Sequence, residues 1–190
     1  YEQTRKDFRL DIPEYFNFGF DVVDRQAKDR TKLALISVDP TGERAEKHTF
    51  WDISVQSNRF ANLLKGLGIG KGERAFIMAP RIPEWYVSMI GMMKLGVVPM
   101  PTTTLCTPKD IEYRLNRAEA TAAIADLENA AKVEEAVANC PSVKHLILVA
   151  NTKKGWINCE EELPRLAPRF EAPEPTRSDD PLLLYFTSGT

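Results

Sequence analysis

The chain contains 190 residues, 43% of them apolar, so it is long enough to form a domain with a hydrophobic core. Its 25 basic and 27 acidic residues leave a formal net charge of -2, which argues against nucleic acid or an anionic membrane as a partner. No apolar run reaches the roughly 18 to 20 residues that span a bilayer, and no signal-peptide core opens the chain, which predicts a soluble intracellular protein.

The first part of the chain predicts a helix, a hairpin and a second, longer helix. A helical pattern covers roughly residues 15–30, and strand patterns at 33–38 and 46–50 flank a tight-turn sequence. Thr49 and Asp52 have the spacing of a capping box, and the apolar residues that follow fall on one helical face. The longer helix therefore begins at this box.

The sequence KGLGIGKGER follows this helix and contains four glycines at intervals of two residues. This spacing does not fit the G-x-G-x-x-G sequence of a dinucleotide-binding loop. The order of elements is also reversed, because that loop leaves a strand and opens a helix. We therefore predict that these glycines end the helix and that a strand follows at 75–78.

Strands and helices alternate over the next part of the chain. Pro83 and Glu84 suit the start of a helix that Gly96 ends, and Thr107 with Asp110 begins another. The other predicted elements are strands at 97–100, 122–125 and 145–149 and a helix at 127–138. Such alternation implies right-handed crossovers. The predicted fold class is α/β, with a mainly parallel sheet, helices on both faces and a small N-terminal hairpin.

Prolines and acidic residues change the pattern after residue 150. Three glutamates at 160–162 predict a short helix, and the sequence APEPTRSDDP has the composition of a surface linker. We therefore divide the chain into an α/β subdomain at 1–170, a linker at 171–181, and a strand with the start of a loop at 182–190.

Three loops are candidate ligand sites, because ligands of open α/β sheets bind at the carboxyl ends of the strands. These loops are 79–83, 101–108 and 187–190. The last loop follows a predicted strand at 182–186. Its hydroxyl groups and its glycine suit a polyphosphate, and they belong to Thr187, Ser188, Gly189 and Thr190. The sequence is not the Walker motif, and the same residue types also occur in ordinary turns.

The other two loops carry weaker signals. Threonines 102–104 could line a polar ligand channel, whereas Thr107 is better explained as a helix cap. Arg81 could meet an anion, but such an arginine is usually exposed or paired with a carboxylate, so it stays unassigned. No Ser-His-Asp set, pair of catalytic acids or metal cluster can be assembled from the sequence, and we assign no catalytic and no metal-binding residue.

The cysteines and histidines are scattered along the chain. Cys106, Cys140 and Cys159 are odd in number and have no histidine at metal-ligand spacing, so neither a disulfide framework nor a zinc site is predicted. We expect buried, reduced thiols. His48 and His145 are each isolated, and we expect structural roles for both.

Several motifs, taken in order, resemble one enzyme superfamily. YFTSGT, preceded by Asp179 and Asp180, is similar to the opening of the phosphate loop of adenylate-forming enzymes, the AMP-dependent synthetases and ligases. SNRFANLLKGLGIGKGERAFIMAPRIPEWYVSMIGMMKLGVVPMP resembles the region that this superfamily shares. PRIPEW together with MPTTTLCTPKDIEYRLNRAEA is most similar to its medium-chain acyl-CoA synthetase branch. The likeness covers nearly the whole chain from about Tyr15.

The resemblance implies an enzyme that uses Mg²⁺ and ATP to convert a carboxylic acid into an acyl-adenylate and pyrophosphate, and then forms a thioester with coenzyme A. It implies that Thr187, Ser188, Gly189 and Thr190 belong to the phosphate loop. Members of the superfamily are several hundred residues long. We therefore expect this chain to be an N-terminal fragment, inactive alone, with the catalytic residues in the missing part.

Other interpretations stay open from the sequence. A non-catalytic α/β binding or interaction module would have the same fold, and an aryl-CoA ligase or a carrier-protein adenylation domain would share the motifs. The location is expected to be the cytoplasm, or the mitochondrial matrix in a eukaryote. The acid's chain length and the oligomeric state are not predicted.

Overall fold

The chain begins with two short helical elements and a hairpin in the computed structural model, which describes residues 1–187. Helix α1 spans Glu2–Asp7, and a π-helix spans Phe18–Asp24. Strands β1 (Leu33–Val38) and β2 (Ala45–Thr49) pair antiparallel, as the sequence predicts. Helix α1 was not expected, because its six residues carry no apolar periodicity and none of them is buried.

The helix predicted over residues 15–30 is much shorter in the structure. Asn17 caps the π-helix, because its side-chain oxygen accepts a hydrogen bond from the Gly19 N–H at 3.0 Å. Asp29 closes the segment, because its carboxylate accepts from both the N–H and the hydroxyl of Thr31, at 2.9 and 2.7 Å. Such local bonds from Asn and Asp side chains compete with helical hydrogen bonding, and they limit this helix at both ends.

A parallel sheet of five strands forms the centre of the fold, in the order β4-β3-β5-β6-β7. The strands are β3 (Arg74–Met78), β4 (Val98–Pro101), β5 (Ala122–Ala125), β6 (His145–Leu148) and β7 (Ile157–Asn158). All residues of β5 and all but the first of β3 are buried, as expected for inner strands covered on both faces. Only β7 was not predicted, because two residues are too few to show a period.

Helices cover both faces of this sheet. They are α2 (Phe50–Gly66), α3 (Pro83–Leu95), α4 (Pro108–Ala118), α5 (Leu127–Val137) and the short α6 (Cys159–Glu162), which a 3-10 turn at Leu163–Arg165 follows. Ile77 packs with α2 and α3 in one apolar cluster, whereas Phe76 and Met78 pack with α4 and α5 in the other. Alternate residues of a strand point to opposite faces, so this division follows from the backbone. The predicted α/β fold with helices on both faces is confirmed.

Two capping boxes fix the starts of α2 and α4. The Thr49 N–H donates to the Asp52 carboxylate at 2.8 Å and the Asp52 N–H donates back to the Thr49 hydroxyl at 3.2 Å. Thr107 and Asp110 form the same pair of bonds at 2.9 and 3.4 Å. Bonds from the threonine hydroxyls and N–H groups lower the pKa of both aspartates. Both predicted helix starts are confirmed.

A buried polar network holds the N-terminal segment against α2 and α3. Lys94 is fully buried, and its Nζ donates to the carboxylate of Asp24 and to the amide oxygen of Asn58, both at 2.6 Å. Burial lowers the pKa of Lys94, and Asp24 opposes that shift in part. Asn17 adds bonds to the Met93 carbonyl at 2.8 Å and to the Thr176 hydroxyl at 2.9 Å.

The proline-rich segment 171–181 lies mostly exposed and pairs with the chain's own beginning. Phe16 N–H donates to the Thr176 carbonyl and Ser178 N–H donates to the Glu14 carbonyl, each at 3.0 Å. The surface position agrees with the sequence. The division of the chain into domains at this segment stays a prediction.

The strand predicted at 182–186 does not form, and this expectation is wrong. Residues 181–187 have no regular secondary structure, and only one backbone hydrogen bond joins them to β4, from Leu184 N–H to the Pro99 carbonyl at 3.1 Å. The N–H groups of Val98 and Thr102 point inward to β3, so the outward positions are those of Pro99 and Pro101. Proline has no N–H, so this edge offers only acceptors and cannot support a full ladder.

Candidate functional site

The carboxyl ends of the parallel strands meet at one edge of the sheet, where loops 79–83 and 101–108 begin. The second loop stays close to the sheet, because the Thr102 N–H donates to the Ile77 carbonyl at 2.9 Å. Lys132, on α5, donates to the Thr104 carbonyl at 2.9 Å. These bonds position the loop between the ends of β4 and α5.

The hydroxyls of Thr102, Thr103 and Thr107 in loop 101–108 make local bonds. Thr102 donates to the Met100 carbonyl at 3.4 Å, and Thr103 accepts from the Leu105 N–H at 3.3 Å. Thr107 caps α4, as its sequence context indicates. A ligand would have to compete with these bonds for the hydroxyls, and the channel that these threonines could line stays a prediction.

The segment 181–187 runs parallel to β4 and ends at this same edge. Asp180 pairs with Lys71 at 2.7 Å, just before β3 begins. At the other end, the ring of Phe186 lies 6.0 Å from the ring of Tyr113 and 5.6 Å from the guanidinium of Arg114. Arg114 also contacts the sulfur of Cys106, beyond the end of β4, at 2.8 Å. Thr187 therefore follows Phe186 at the carboxyl edge of the sheet.

The predicted phosphate-binding residues are described only in part. Leu184 and Phe186 pack against the α4–α5 cluster, while Tyr185 between them is 62% exposed and Thr187 is exposed. The structure thus presents the Thr187 side chain to solvent at the edge where ligands bind in this class of fold. Ser188, Gly189 and Thr190 lie outside the described residues, and the phosphate-binding role of all four stays a prediction.

The other charged groups near this edge are mostly engaged. Asp126, at the start of α5, is buried and accepts from the side chain of Asn129 at 2.6 Å. Arg81 is exposed and takes part in none of the ion pairs found within residues 1–187. It stays unassigned.

The cysteines are buried and free, as predicted. Burial raises the pKa of Cys159 to about 12, with smaller contributions from the carboxylates of Glu84 and Glu162. Burial also raises the pKa of Cys140, next to Glu112. Both thiols are therefore protonated at neutral pH. Within residues 1–187 the structure places no three His, Cys, Asp or Glu side chains where they would hold a metal ion.

The sequence gives no sign of a separate cavity of about 440 Å³ on the α2–α3 face of the sheet. Its lining comes from β2, α2, α3, the residue after β6, and α6 with the following turn, so its members are far apart in the chain. Arg59 and His48 are among them. An arginine within the apolar pattern of α2 is consistent with a partly enclosed position, but it does not indicate a cavity.

Comparison with known proteins identifies the family. A family profile described as AMP-binding enzyme matches residues 22–190. The chain belongs to the AMP-binding enzyme family. None of the helices described in residues 1–187 combines the length and the apolar character needed to cross a membrane.

Curated relatives of this AMP-binding enzyme chain are acyl-coenzyme A synthetases. Acyl-coenzyme A synthetase ACSM3, mitochondrial, of Mus musculus is 33% identical over 198 residues, covering 100% of this chain and 34% of the relative. Acyl-coenzyme A synthetase ACSM5, mitochondrial, of Homo sapiens is 36% identical over 187 residues, covering 94% of this chain and 32% of the relative. The chain thus spans about a third of the length of these relatives.

Solved structures share the fold. The anthranilate CoA ligase AuaEII in complex with anthranoyl-AMP has a TM-score of 0.80 and 27% identity, over 94% of this chain and 32% of that one. The acyl-CoA synthetase of Brucella canis has a TM-score of 0.86 and 21% identity, over 100% of this chain and 36% of that one. The second likeness concerns the fold alone.

Proposed function

We propose that this chain is part of an acyl-CoA synthetase that activates a medium-chain carboxylic acid with ATP and transfers the acyl group to coenzyme A. The observation that carries the proposal is the course of segment 181–187, which brings Thr187 to the carboxyl edge of the sheet. The names of the relatives support an acyl group as the cargo and coenzyme A as the acceptor, whereas the medium chain length rests on the resemblance of the sequence motifs.

In this reaction a carboxylate oxygen attacks the α-phosphorus of ATP and pyrophosphate leaves. The thiolate of coenzyme A then displaces AMP from the acyl group, because AMP is a far better leaving group than hydroxide. The exposed hydroxyl of Thr187 would donate to a phosphate oxygen, and donors placed where charge develops lower the barrier of such transfers. Mg²⁺ would screen the phosphate charge, but residues 1–187 contain no cluster of ligands for it, so we assign it no residue.

The parent protein is proposed to act in the mitochondrial matrix if it is eukaryotic, since the curated relatives carry the word mitochondrial in their names. In a bacterium the same enzyme would be cytoplasmic. Its proposed substrates are small molecules: a carboxylic acid, ATP and coenzyme A.

The proposal is tested by exchange of labelled pyrophosphate into ATP. A reading frame that continues beyond Thr190 to the length of the relatives should catalyse exchange that depends on octanoate, and should form octanoyl-CoA. The 190-residue chain assayed beside it should show no exchange. Absence of exchange from the long protein with every acid tried, despite ATP binding, would favour a non-catalytic binding module instead.

The role of Thr187 is tested in the long protein by comparing Thr187→Ala with Thr187→Ser. Loss of one donor to the developing charge is expected to lower kcat about 100-fold, whereas serine should keep most of the activity. Thr41→Ala, in the exposed turn between β1 and β2, is the matched control and should leave kcat unchanged. Equal activities of the alanine and wild-type proteins would remove Thr187 from the site.

An aryl acid is the second candidate substrate, because the anthranilate CoA ligase shares both fold and 27% identity with this chain. The exchange assay is repeated with benzoate and anthranilate, and the kcat/KM of each is compared with that of octanoate. A higher kcat/KM for the aryl acids would favour an aryl-CoA ligase. Exchange with an acid but no CoA thioester would favour a carrier-protein adenylation domain.

A further inference from the structure

The cavity on the α2–α3 face has the size and lining of a small-molecule site. Its volume of about 440 Å³ lies in the range of about 300 to 1,000 Å³ that is typical of ligand pockets. Apolar side chains from three elements contribute to its lining, among them Ile53, Val87 and Leu163. Its lining also includes Pro83 and Val149, which follow β3 and β6, so it lies at the carboxyl edge of the sheet.

Unpaired nitrogen atoms are concentrated at this cavity. Three buried side-chain nitrogen or oxygen atoms in residues 1–187 lack a hydrogen-bond partner, and two of them, His48 Nε2 and Arg59 Nε, belong to lining residues. The nearest carboxylate oxygen to His48 Nε2, on Glu46, is 3.8 Å away, too far for a hydrogen bond. Both atoms have almost no accessible surface, so a ligand in the cavity would have to meet Arg59 through its terminal guanidinium nitrogens.

None of the carboxylates that line the cavity forms an ion pair with Arg59. Asp52 is engaged in the capping box with Thr49, and Glu160 accepts from the Asn151 N–H at 2.8 Å. Glu84 also lines the cavity and lies near the Cys159 thiol, whose pKa it helps to raise. Arg59 forms none of the ion pairs found within residues 1–187.

We propose that this cavity is an accessory binding site for a small organic acid, whose carboxylate pairs with Arg59 and whose apolar body packs against Ile53, Val87 and Leu163. Guanidinium and carboxylate groups form charge-assisted hydrogen bonds, and a hydrocarbon group fills the apolar remainder. The carboxylates of Asp52, Glu84 and Glu160, which also line the cavity, oppose the binding by like-charge repulsion. The site lies on the opposite face of the sheet from the cluster that holds Phe186, so it is separate from Thr187 and independent of the synthetase proposal.

The test is a titration of the isotope-labelled 190-residue chain with octanoate, in which heteronuclear NMR detects binding. The amides of Val87 and Val149 should shift in a saturable way, while those of loop 101–108 should not. Arg59→Gln should weaken binding by at least about tenfold, the loss expected for a charged hydrogen-bonding partner. Glu84→Gln should instead tighten octanoate binding, because it removes a negative charge from the lining. Arg117→Gln, an exposed arginine on α4, is the matched control and should leave the affinity unchanged.

A ligand series on the wild-type chain provides a result that does not depend on how the variants fold. Octanoate should bind at least about tenfold more tightly than octan-1-ol, which lacks the charge. Octylamine should bind more weakly still. Equal binding of octanoate and octanol, tighter binding of the amine, shifts confined to loop 101–108, or no saturable shift with octanoate would each overturn the proposal.

Discussion

Two segments of the described chain, one around Asn17 and one at 181–187, are held by different kinds of interaction. Around Asn17 the N-terminal segment enters a buried network that includes Lys94 and reaches Thr176. Segment 181–187 has one backbone bond to β4 and two partly buried side chains, Leu184 and Phe186. The first segment is anchored by polar groups that cannot be left unpaired, and the second by apolar contact at an edge. The first should therefore be costly to disrupt and the second should open locally.

Removing the counter-charge of Lys94 should have the largest effect. Asp24→Ala leaves a fully buried ammonium group without its carboxylate, so the free energy of unfolding in urea should fall by about 3 to 5 kcal/mol. The double variant Asp24→Ala with Lys94→Met should recover much of this loss. Glu162→Ala, which breaks the exposed pair with Arg165, should cost less than about 1 kcal/mol. Equal losses for the buried and the exposed pair would contradict the contrast.

The close contact of α2 with α3, which encloses this network, should be the next most sensitive feature. A Cβ atom at Gly91 would lie 2.8 Å from the Ser57 carbonyl oxygen and 3.0 Å from Phe60, so Gly91→Ala should cost about 1 to 3 kcal/mol. Gly66→Ala, at the end of α2, meets no atom within 4 Å and should stabilise the protein by up to about 1 kcal/mol. Chemical denaturation measures the free energy of unfolding of both variants. Changes of the same sign in the two variants would argue against the tight packing at Gly91.

The lowered pKa of Lys94 predicts a dependence of stability on pH. Between its lowered pKa in the folded chain and 10.5 in the unfolded chain, the unfolded state binds more protons. Stability should therefore rise with pH in that window, by at most about 1.4 kcal/mol per pH unit. The difference between wild type and Lys94→Met, measured by urea unfolding from neutral pH upward, isolates this group. If the stability of the wild type relative to Lys94→Met fell as the pH rose, the pKa of Lys94 would not be lowered in the folded chain.

The smallest effect should come from the C-terminal segment. Phe186→Ala removes a partly buried ring, and we expect a loss of about 1 kcal/mol that is confined to the segment. Exchange of the Leu184 amide should then become about fivefold faster, while the Ile77 amide inside the sheet should not change. Tyr185→Ala, at a side chain that is 62% exposed, is the control. Faster exchange at both amides would mean that the segment is part of the cooperative core.

The contrast also explains what the sequence could and could not predict. The capping boxes at Thr49 and Thr107 and the α/β alternation are local patterns, and the structure contains them where they were expected. The prediction of a strand at 182–186 was wrong because an apolar pattern carries no information about the strand beside it. That neighbour is β4, which presents prolines at its outer edge. Asn17 and Thr176 are 159 residues apart, and their contact follows only from the assembled fold.

The candidate site divides in the same way. Thr187 was predicted as a phosphate ligand from composition at the end of an apolar run, and this role stays a prediction, although the residue is exposed next to Phe186. Arg59 was missed because an arginine on a helix is normally a solvated surface residue. Its significance comes from cavity walls that β2, α3 and α6 contribute, and no spacing along the chain reports them.

The two prolines of β4 have a consequence for self-association. An exposed strand edge normally invites a second molecule to pair with it and seeds aggregates. With Pro99 and Pro101 facing outward, a neighbouring copy would find carbonyl oxygens but no amide hydrogens at those positions. The sheet can therefore hold a segment of its own chain by a single backbone bond, while its edge discourages the pairing of further copies.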